Sequence, residues 1–77
     1  MAAAQLVEYV AKSLADNPDG VSVEVEEDGD AIILRLVVDE EDMGRVIGRN
    51  GSIAKAMRSL LKVVSNRTGE NYVLAIG

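Results

Sequence analysis

The sequence predicts a small α+β fold in which three helices lie on one face of a three-stranded mixed sheet, in the order α-β-β-α-α-β. Three observations predict this class. Two long segments carry apolar residues at helical spacing, and three others alternate like half-buried strands or are continuously apolar. A hairpin followed by a long crossover makes the sheet mixed and places the helices together. With 77 residues the chain is expected to form a single domain, residues 1–77, with one thin core.

The N-terminal half is predicted to form one helix and a hairpin. Residues 3–16 repeat apolar side chains at helical spacing, and Asn17-Pro18 ends the helix because the residue before proline disfavours helical geometry. Residues 21–26 alternate valine with polar residues, as a half-buried strand does. Residues 27–30 contain Asp-Gly, which suits a tight turn, and residues 31–38 are apolar except for one arginine, as in a central strand.

The C-terminal half is predicted to contain a short helix, a glycine-containing loop, a long helix and a strand. The short helix covers residues 39–47, with Asp39 as the N-cap whose side chain accepts from the first free amides. Residues 48–51 interrupt the helical pattern and residues 52–67 resume it. Residues 71–76 form the last strand. The long helix is predicted to bury Ile53, Met57, Leu60, Leu61 and Val64.

The composition excludes several chemistries. The chain has no cysteine and no histidine, which removes disulfides, thiolate metal sites and the commonest general base. Neither a nucleophile–base pair nor a set of metal ligands is visible, so the chain is predicted not to be an enzyme and to need no cofactor or metal. The N-terminal residues lack the features of a signal peptide, and no apolar run is long enough for a membrane span. These features predict a cytoplasmic protein without a membrane partner.

The charges are unevenly distributed along the chain. The net charge is −5, but residues 45–67 carry six basic residues and no acidic ones, whereas the remainder carries thirteen acidic residues against Lys12 and Arg35. Binding responds to the local potential rather than to the total charge, so the basic segment remains compatible with a nucleic-acid partner. The alternative interpretation is a helix with a solvated basic face.

The most informative stretch is the loop between the two predicted C-terminal helices. Gly48 and Gly51 allow sharp backbone turns and close approach, and the free amides at the start of the second helix favour an anion. Arg49 adds positive charge, and Asn50 can donate and accept. This combination suits a phosphodiester backbone, although a tight interhelical turn is the alternative. Three neighbouring aliphatic residues could line an apolar groove for bases or belong to the core: Val46, Ile47 and Ile53.

A Gly-x-x-Gly loop between two helices, preceded by Val-Ile and flanked by strands, resembles the KH domain, in which this loop clamps about four nucleotides. The element order is similar to the bacterial type II KH domain. Residues 44–51 (Gly-Arg-Val-Ile-Gly-Arg-Asn-Gly) and 53–58 (Ile-Ala-Lys-Ala-Met-Arg) closely resemble the small bacterial single-KH-domain RNA-binding proteins of the KhpA family. The resemblance covers essentially the whole chain.

The resemblance implies roles for individual residues. Single-stranded RNA would contact the loop, the groove floor and the start of the following helix. Ser52 departs from the family, which often has a basic residue there, and the acidic hairpin tip at residues 26–30 would border the groove and repel phosphates. The implied RNA-binding residues are Gly48, Arg49, Asn50, Gly51, Val46, Ile47, Ser52, Ile53, Lys55 and Arg58.

The resemblance also implies a cellular role and a partner. The role is that of an RNA chaperone or post-transcriptional regulator in bacteria, tied to cell division or envelope growth and hence to cell shape. The partner is a second copy or a larger, KhpB-like KH protein, which would raise RNA affinity through effective concentration. Two alternatives stay open: a helix-turn-helix DNA-binding domain, and a KH-shaped protein-interaction module.

Overall fold

The computed structural model describes residues 3–76 and has the predicted order of elements. Helix α1 spans Ala3–Leu14, strands β1 and β2 span Ser22–Asp28 and Ala31–Val37, helices α2 and α3 span Met43–Ile47 and Ser52–Thr68, and strand β3 spans Asn71–Ile76. Short 3-10 turns occur at Pro18–Gly20, Glu40–Asp42 and Arg49–Gly51. Helix α1 ends two residues earlier than predicted, and β1 extends two residues further.

The sheet is mixed, as predicted from the hairpin and the crossover. Strand β2 is central, and it pairs antiparallel with β1 and parallel with β3. Leu34 of β2 lies opposite Val25 of β1 and Leu74 of β3, so the three side chains share one face of the sheet. The helices bury Leu34 and Leu74 on that face, whereas Val25 is 57% exposed. Arg35 points to the open face, where its guanidinium pairs with Glu26 at 3.2 Å.

The core lies between the helices and one face of the sheet. Apolar side chains at helical spacing in α1 and α3 meet alternate residues of β2 and β3, which explains why one face of each element is apolar. Helix α2 contributes one fully buried side chain. The buried apolar residues are Ala3, Val7, Ala11, Val21, Leu34, Leu36, Val38, Val46, Ala54, Met57, Leu61 and Leu74.

The predicted buried stripe of α3 is wrong at one position. Leu60 is 47% exposed, whereas Ala54, which was not in the predicted stripe, is buried. The apolar residues of α3 cover more than the part of the helix that faces the sheet. Spacing alone therefore could not tell which of them point inward.

The prediction that Asp39 caps a single short helix is also wrong. The segment divides into a 3-10 turn and α2, and the Asp39 side chain caps neither. Its carboxylate instead accepts a hydrogen bond from Asn17 Nδ2 at 2.6 Å. The buried carboxylate of Asp42 accepts the backbone N–H groups of Asp16 and Asn17, at 3.0 and 3.1 Å. Asp39 and Asp42 therefore bind residues 16 and 17, which follow α1 and lie next to the start of α2 in the folded chain.

The hairpin tip and the glycine loop lie at opposite ends of helix α3. The tip, at Gly29 and Asp30, lines a shallow cleft with Gly69, Glu70 and Asn71, beyond the C-terminal end of α3. Residues 48–51 immediately precede the first residue of α3, and the 17 residues of that helix span about 25 Å. Within residues 3–76, no helix has the length and apolar character needed to cross a membrane.

Candidate nucleic-acid interface

The loop between α2 and α3 has a backbone conformation that few side chains tolerate. Gly48 has φ 79° and ψ 170°, a region open essentially to glycine alone, and Gly51 is left-handed with φ 74°. Asn50 between them is also left-handed, with φ 56°, which asparagine tolerates better than most residues. The loop is closed by a hydrogen bond from the Gly51 N–H to the Gly48 carbonyl at 3.1 Å. The geometry therefore requires glycine at position 48 and favours it at position 51.

Gly48 is also packed against the beginning of α3. A Cβ atom on Gly48 would lie 2.9 Å from the backbone nitrogen of Ile53 and 2.7 Å from its Cγ1 atom, closer than real Cβ contacts. The backbone at Gly48 thus packs directly against the backbone of the first turn of α3, with no room for a side chain between them. This close approach fixes the loop relative to the helix that follows it.

The N-terminus of α3 follows directly on the loop. Among the described residues no side chain caps this helix, and its N-cap residue is Gly51. The N–H groups of Gly51 and Ser52 donate to the carbonyl oxygens of Gly48 and Arg49, so the loop itself satisfies them. The helix dipole adds partial positive charge at this end, and Ser52 is exposed there. The loop and the helix end together therefore offer a positive potential to an anion.

The cations of the described chain fall into two groups. Three are engaged in ion pairs: Lys12 with Glu8, Arg35 with Glu26, and Arg45 with Asp16. Within residues 3–76, the five others have no carboxylate within ion-pair distance, and all five lie in the loop or on α3. These unpaired cations are Arg49, Lys55, Arg58, Lys62 and Arg67.

Helix α3 carries two different exposed faces. Lys55, Arg58 and Lys62 follow each other at spacings of three and four, so they form one basic stripe. Ala56, Leu60 and Val63 follow each other at spacings of four and three, and they form a separate apolar stripe. All six residues are exposed, and Leu60 and Val63 are 47% and 51% exposed. The basic stripe lies on the flank beside β3, because Arg58 lines a pocket there with β3 residues.

That pocket lies between α3 and the outer edge of β3, and we call it the α3–β3 pocket. It has a volume of about 200 Å³ and is lined by Arg58, Leu61, Tyr72, Val73 and Leu74. Strand β3 is an edge strand, so within residues 3–76 its side away from β2 has no neighbouring strand. Sequence reasoning did not find this pocket, because the β3 residues that line it become its wall only when α3 packs on the sheet.

A hydrogen bond joins α3 and β3 beside this pocket. The Tyr72 backbone N–H donates to Ser65 Oγ at 3.1 Å, which ties the start of β3 to the last turns of α3. Earlier residues of α3 and later residues of β3 line the pocket, so it lies on the side of this hydrogen bond that faces the glycine loop. The acidic hairpin tip lies on the other side, a helix length from the loop.

The structure places the sequence-predicted site residues in three environments. Arg49, Asn50, Ser52, Lys55 and Arg58 are exposed, and the two glycines of the loop flank the first two of them. Ile47 and Ile53 are half-buried beside the loop. Val46 has no exposed surface, so it is a core residue and the predicted direct contact with RNA is wrong for this side chain.

The element order, the mixed sheet and the Gly-x-x-Gly loop between α2 and α3 together define a KH domain. The family model for the KhpA/KhpB KH domain matches residues 4–76. The chain therefore belongs to the KhpA/KhpB KH-domain family. This confirms the family and the fold that the resemblance implied.

Curated relatives agree with this assignment. The RNA-binding protein KhpA of Clostridium perfringens is 44% identical over 72 residues, which is 94% of this chain and 96% of the relative. The RNA-binding protein KhpA of Clostridium acetobutylicum is 46% identical over the same shares, and that of Aquifex aeolicus is 39% identical over 92% of this chain and 90% of the relative. All three relatives are named RNA-binding proteins.

Solved structures share the fold. One is Era in complex with MgGDPNP and a segment of 16S ribosomal RNA, with a TM-score of 0.59 and 19% identity. The match covers 96% of this chain but only 28% of the Era chain. A second is an Era variant from Aquifex aeolicus bound to GDP and aluminium fluoride, with a TM-score of 0.60, 20% identity, and coverage of 96% of this chain and 29% of the Era chain.

Proposed function

We propose that this chain binds single-stranded RNA, with phosphates at Gly48-Arg49-Asn50-Gly51 and bases along the groove between α3 and β3. One observation carries the proposal. All unpaired cations of the described chain lie in the loop and on α3, whereas the cations elsewhere are neutralised by carboxylates. The relatives that are named RNA-binding proteins support the same conclusion.

The loop would bind phosphate by three kinds of contact. The dipole of α3 favours the negative charge of a phosphate at the start of this helix. Arg49 adds a charged donor at the loop tip, and Asn50 donates from its side-chain amide. Lys55 and Arg58 extend the positive potential along α3, while Ile47 and Ile53 supply apolar surface beside the loop. A single KH unit engages about four nucleotides, so we expect weak, salt-sensitive binding.

The test is a titration of the protein into a fluorescent, degenerate single-stranded RNA, followed by anisotropy at two salt concentrations. The loop variant is Arg49→Asp with Asn50→Asp. The matched control is Arg67→Asp with Asn66→Asp, which changes the same residue types and the same net charge near the other end of α3. Positions 50 and 66 are separated by about 24 Å along the helix direction. Circular dichroism establishes that each variant is folded.

We expect the loop variant to abolish binding and the control to weaken it only modestly. The logarithm of the binding constant of the wild type should fall with the logarithm of salt by about 0.7 per phosphate neutralised. Equal losses in both variants would mean that net charge alone governs binding. Equal binding by wild type and loop variant would remove the loop from the site.

The apolar stripe of α3 supports a second proposal, which concerns the partner. Ala56, Leu60 and Val63 face solvent without any contact that explains an apolar surface there. We propose that this stripe pairs with a second copy of the chain or with a larger KH-containing protein of the KhpB type. Pairing would place two weak RNA sites on one particle and raise their combined affinity.

Sedimentation equilibrium of the wild type and Leu60→Asp tests the homodimer. If the stripe joins two copies, the wild type is a dimer and the variant a folded monomer with weaker RNA binding. If the wild type is a monomer, the next experiment is co-purification with the larger KH protein. In that case co-purification that Leu60→Asp abolishes would support the heterodimer, and co-purification that persists would exclude this stripe.

The cellular role follows from these two proposals. We place the protein in the cytoplasm, where an RNA-binding protein meets transcripts. Disulfides are rare in that compartment, so a chain without cysteine is at no disadvantage there. There it would act as an RNA chaperone or post-transcriptional regulator. A helix-turn-helix function is less well supported, because the first helix of the pair, α2, has only five residues and α3 carries its basic stripe beside the sheet.

A further inference from the structure

We propose that Asn50 is a site of spontaneous deamidation whose rate is set by the conformation of the loop at residues 48–51. Asn50 precedes Gly51 within this loop, and its side chain is exposed. When the loop opens, the side-chain amide is converted to a carboxylate, and when the loop is closed, its backbone geometry prevents the reaction. The consequence for RNA rests on the proposed function, whereas the reaction itself does not.

The reaction is an attack by the backbone on the neighbouring side chain, and it needs no reagent other than water. The Gly51 nitrogen loses its proton to hydroxide and forms a bond to Cγ of Asn50, which closes a cyclic imide. The bond from Cγ to Nδ2 breaks, and Nδ2 takes up a proton from water and leaves as ammonia. Water then opens the ring at either carbonyl carbon, so the product is aspartate or isoaspartate with one new carboxylate.

The residue that follows Asn50 leaves this attack unobstructed. Gly51 has no side chain to shield its backbone nitrogen, and it can adopt the range of angles that ring closure requires. The chain has three other asparagines, and each is followed by a less suitable residue. Proline has no N–H to lose, and arginine and tyrosine carry large side chains on nitrogens that are hydrogen-bonded within α3 or to Ser65. These asparagines are Asn17, Asn66 and Asn71, respectively.

The closed loop holds the reacting atoms apart. Asn50 has ψ 25°, which places the Gly51 nitrogen and the Asn50 Cβ nearly opposite each other across the Cα–C bond. Ring closure needs both atoms on the same side, and because the peptide group is planar, only a large rotation about this bond can bring them there. That rotation would carry the Gly51 N–H away from the Gly48 carbonyl, to which it donates at 3.1 Å. The imide therefore forms only when the loop opens.

Both products disable the loop for a phosphate. Aspartate puts a negative charge beside Arg49, where the proposed function places a phosphate. Isoaspartate also routes the main chain through the former side chain, which adds a methylene group to the loop. The loop has no room for this addition, because the Gly48 backbone packs directly against the backbone of Ile53. Deamidation therefore removes the RNA site from chains whose loops have opened.

Bound RNA protects Asn50, because a phosphate held by the loop favours the closed conformation. A ligand that binds one conformation lowers the population of the other in proportion to its occupancy. Chains that carry RNA therefore keep their site, and chains without RNA lose it with time. The hydrogen bond from Gly51 to Gly48 links the two events, since it is kept in the bound loop and broken in the reactive one.

The test follows each asparagine by mass spectrometry during incubation in mildly alkaline buffer, in the folded chain and in denaturant. Trypsin places Asn50, Asn66 and Asn71 in separate peptides, so the last two are internal controls. Mass is the readout, because conversion of an amide to a carboxylate changes it. Isomerisation at the two Asp-Gly sequences, residues 19–20 and 28–29, passes through the same ring without a change in mass.

We expect Asn50 to convert faster than both controls in denaturant and more slowly in the folded chain than in denaturant. Single-stranded RNA at about nine times its dissociation constant should slow the conversion about tenfold, because only about a tenth of the chains remain free. Gly48→Ala, where it is folded, should speed the conversion. Asn50→Asp carries the charge of the product, so it should weaken RNA binding and lower the magnitude of the log–log salt slope by about 0.7.

Three outcomes would overturn the inference. The first is an unfolded chain in which Asn50 converts no faster than Asn66 and Asn71, and the second is equal conversion of Asn50 in the folded and unfolded chain. The third is RNA that binds by anisotropy but leaves the conversion rate unchanged, since the bound loop would then not be the closed loop. If RNA does not bind at all, the proposed function fails, and the comparison of folded and unfolded chains still decides whether the loop protects Asn50.

Discussion

The carboxylate of Asp42 accepts the backbone N–H of Asn17 at 3.1 Å, although 25 residues separate the two in sequence. It also accepts the N–H of Asp16 at 3.0 Å, and Arg45 pairs with the Asp16 carboxylate at 3.1 Å. These contacts join the end of α1 to the beginning of α2, one short helix away from the glycine loop. The orientation of α2, and hence of the loop, therefore depends on a buried carboxylate that lies outside the loop.

We therefore expect Asp42→Asn to destabilise the fold by about 2–3 kcal/mol, because an amide accepts from only one side and its NH₂ group would face the second backbone donor. The free energy of unfolding in urea measures the effect. Asp39→Asn is the control, since Asp39 accepts from Asn17 at an exposed site and should change stability by less than about 1 kcal/mol. Equal effects for the two variants would contradict this account of Asp42.

The second prediction concerns Gly48. Gly48→Ala should destabilise the domain by about 1–3 kcal/mol, because the new side chain meets an unfavourable φ and the backbone of Ile53. RNA binding, measured by anisotropy, should fall further than stability alone explains, because the loop must shift to admit the methyl group. The effect on binding is compared at a temperature where the variant remains folded.

Gly44→Ala is the matched control for Gly48→Ala. Gly44 lies in α2, and a Cβ on it would meet nothing within 4 Å. Alanine is favoured over glycine within a helix by about 0.5–1 kcal/mol, so this variant should be neutral or slightly more stable and should bind RNA normally. A Gly48→Ala protein that also behaves this way would show that the loop does not require glycine.

The sequence was sufficient for the order of elements and for the loop, for identifiable reasons. Valine alternation, the Asp-Gly turn and Asn17-Pro18 are local signals, and the first helix and the two strands of the hairpin begin and end within two residues of the predicted bounds. Gly48 and Gly51 were identifiable because a single glycine is enough for an ordinary turn, so a glycine at both ends of a short interruption indicates a more demanding backbone path. The positive φ angles at both positions agree with that interpretation.

The remaining features depend on tertiary contacts that no local pattern encodes. Asp39 was predicted as a helix cap from its position, but the chain after α1 provides Asn17 as a competing donor. Leu60 and Leu61 are adjacent leucines, and only the packing of α3 decides which one is buried. The α3–β3 pocket combines residues from two elements whose relative placement the sequence does not state.

The adjacent leucines provide a third prediction. Leu61 is buried in the core, so Leu61→Ala should lower the free energy of unfolding by about 2–5 kcal/mol. Leu60 is half exposed, so Leu60→Ala should change it by no more than about 0.5 kcal/mol at a protein concentration where the chain is monomeric. Urea titration of both variants measures the difference. If Leu60→Ala were the more destabilising variant, the face of α3 that packs on the sheet would be the one that carries Leu60.

The last prediction separates a phosphate contact from general attraction. Lys55 lies one turn into α3, beside the loop, and has no ion-pair partner within the described residues, whereas Lys12 on α1 pairs with Glu8 at 3.2 Å. Both lysines are exposed, and replacing either with alanine removes one positive charge. If Lys55 neutralises one phosphate, Lys55→Ala should reduce the magnitude of the log–log salt slope by about 0.7.

Lys12→Ala should leave that slope unchanged, because Lys12 lies on a different helix from the loop and its charge is already balanced by Glu8. Anisotropy titrations at four or more salt concentrations give both slopes. A similar small reduction for both variants would mean that Lys55 contributes only to the overall potential. A change confined to Lys55 would mean that the RNA backbone continues from the loop onto the basic stripe of α3.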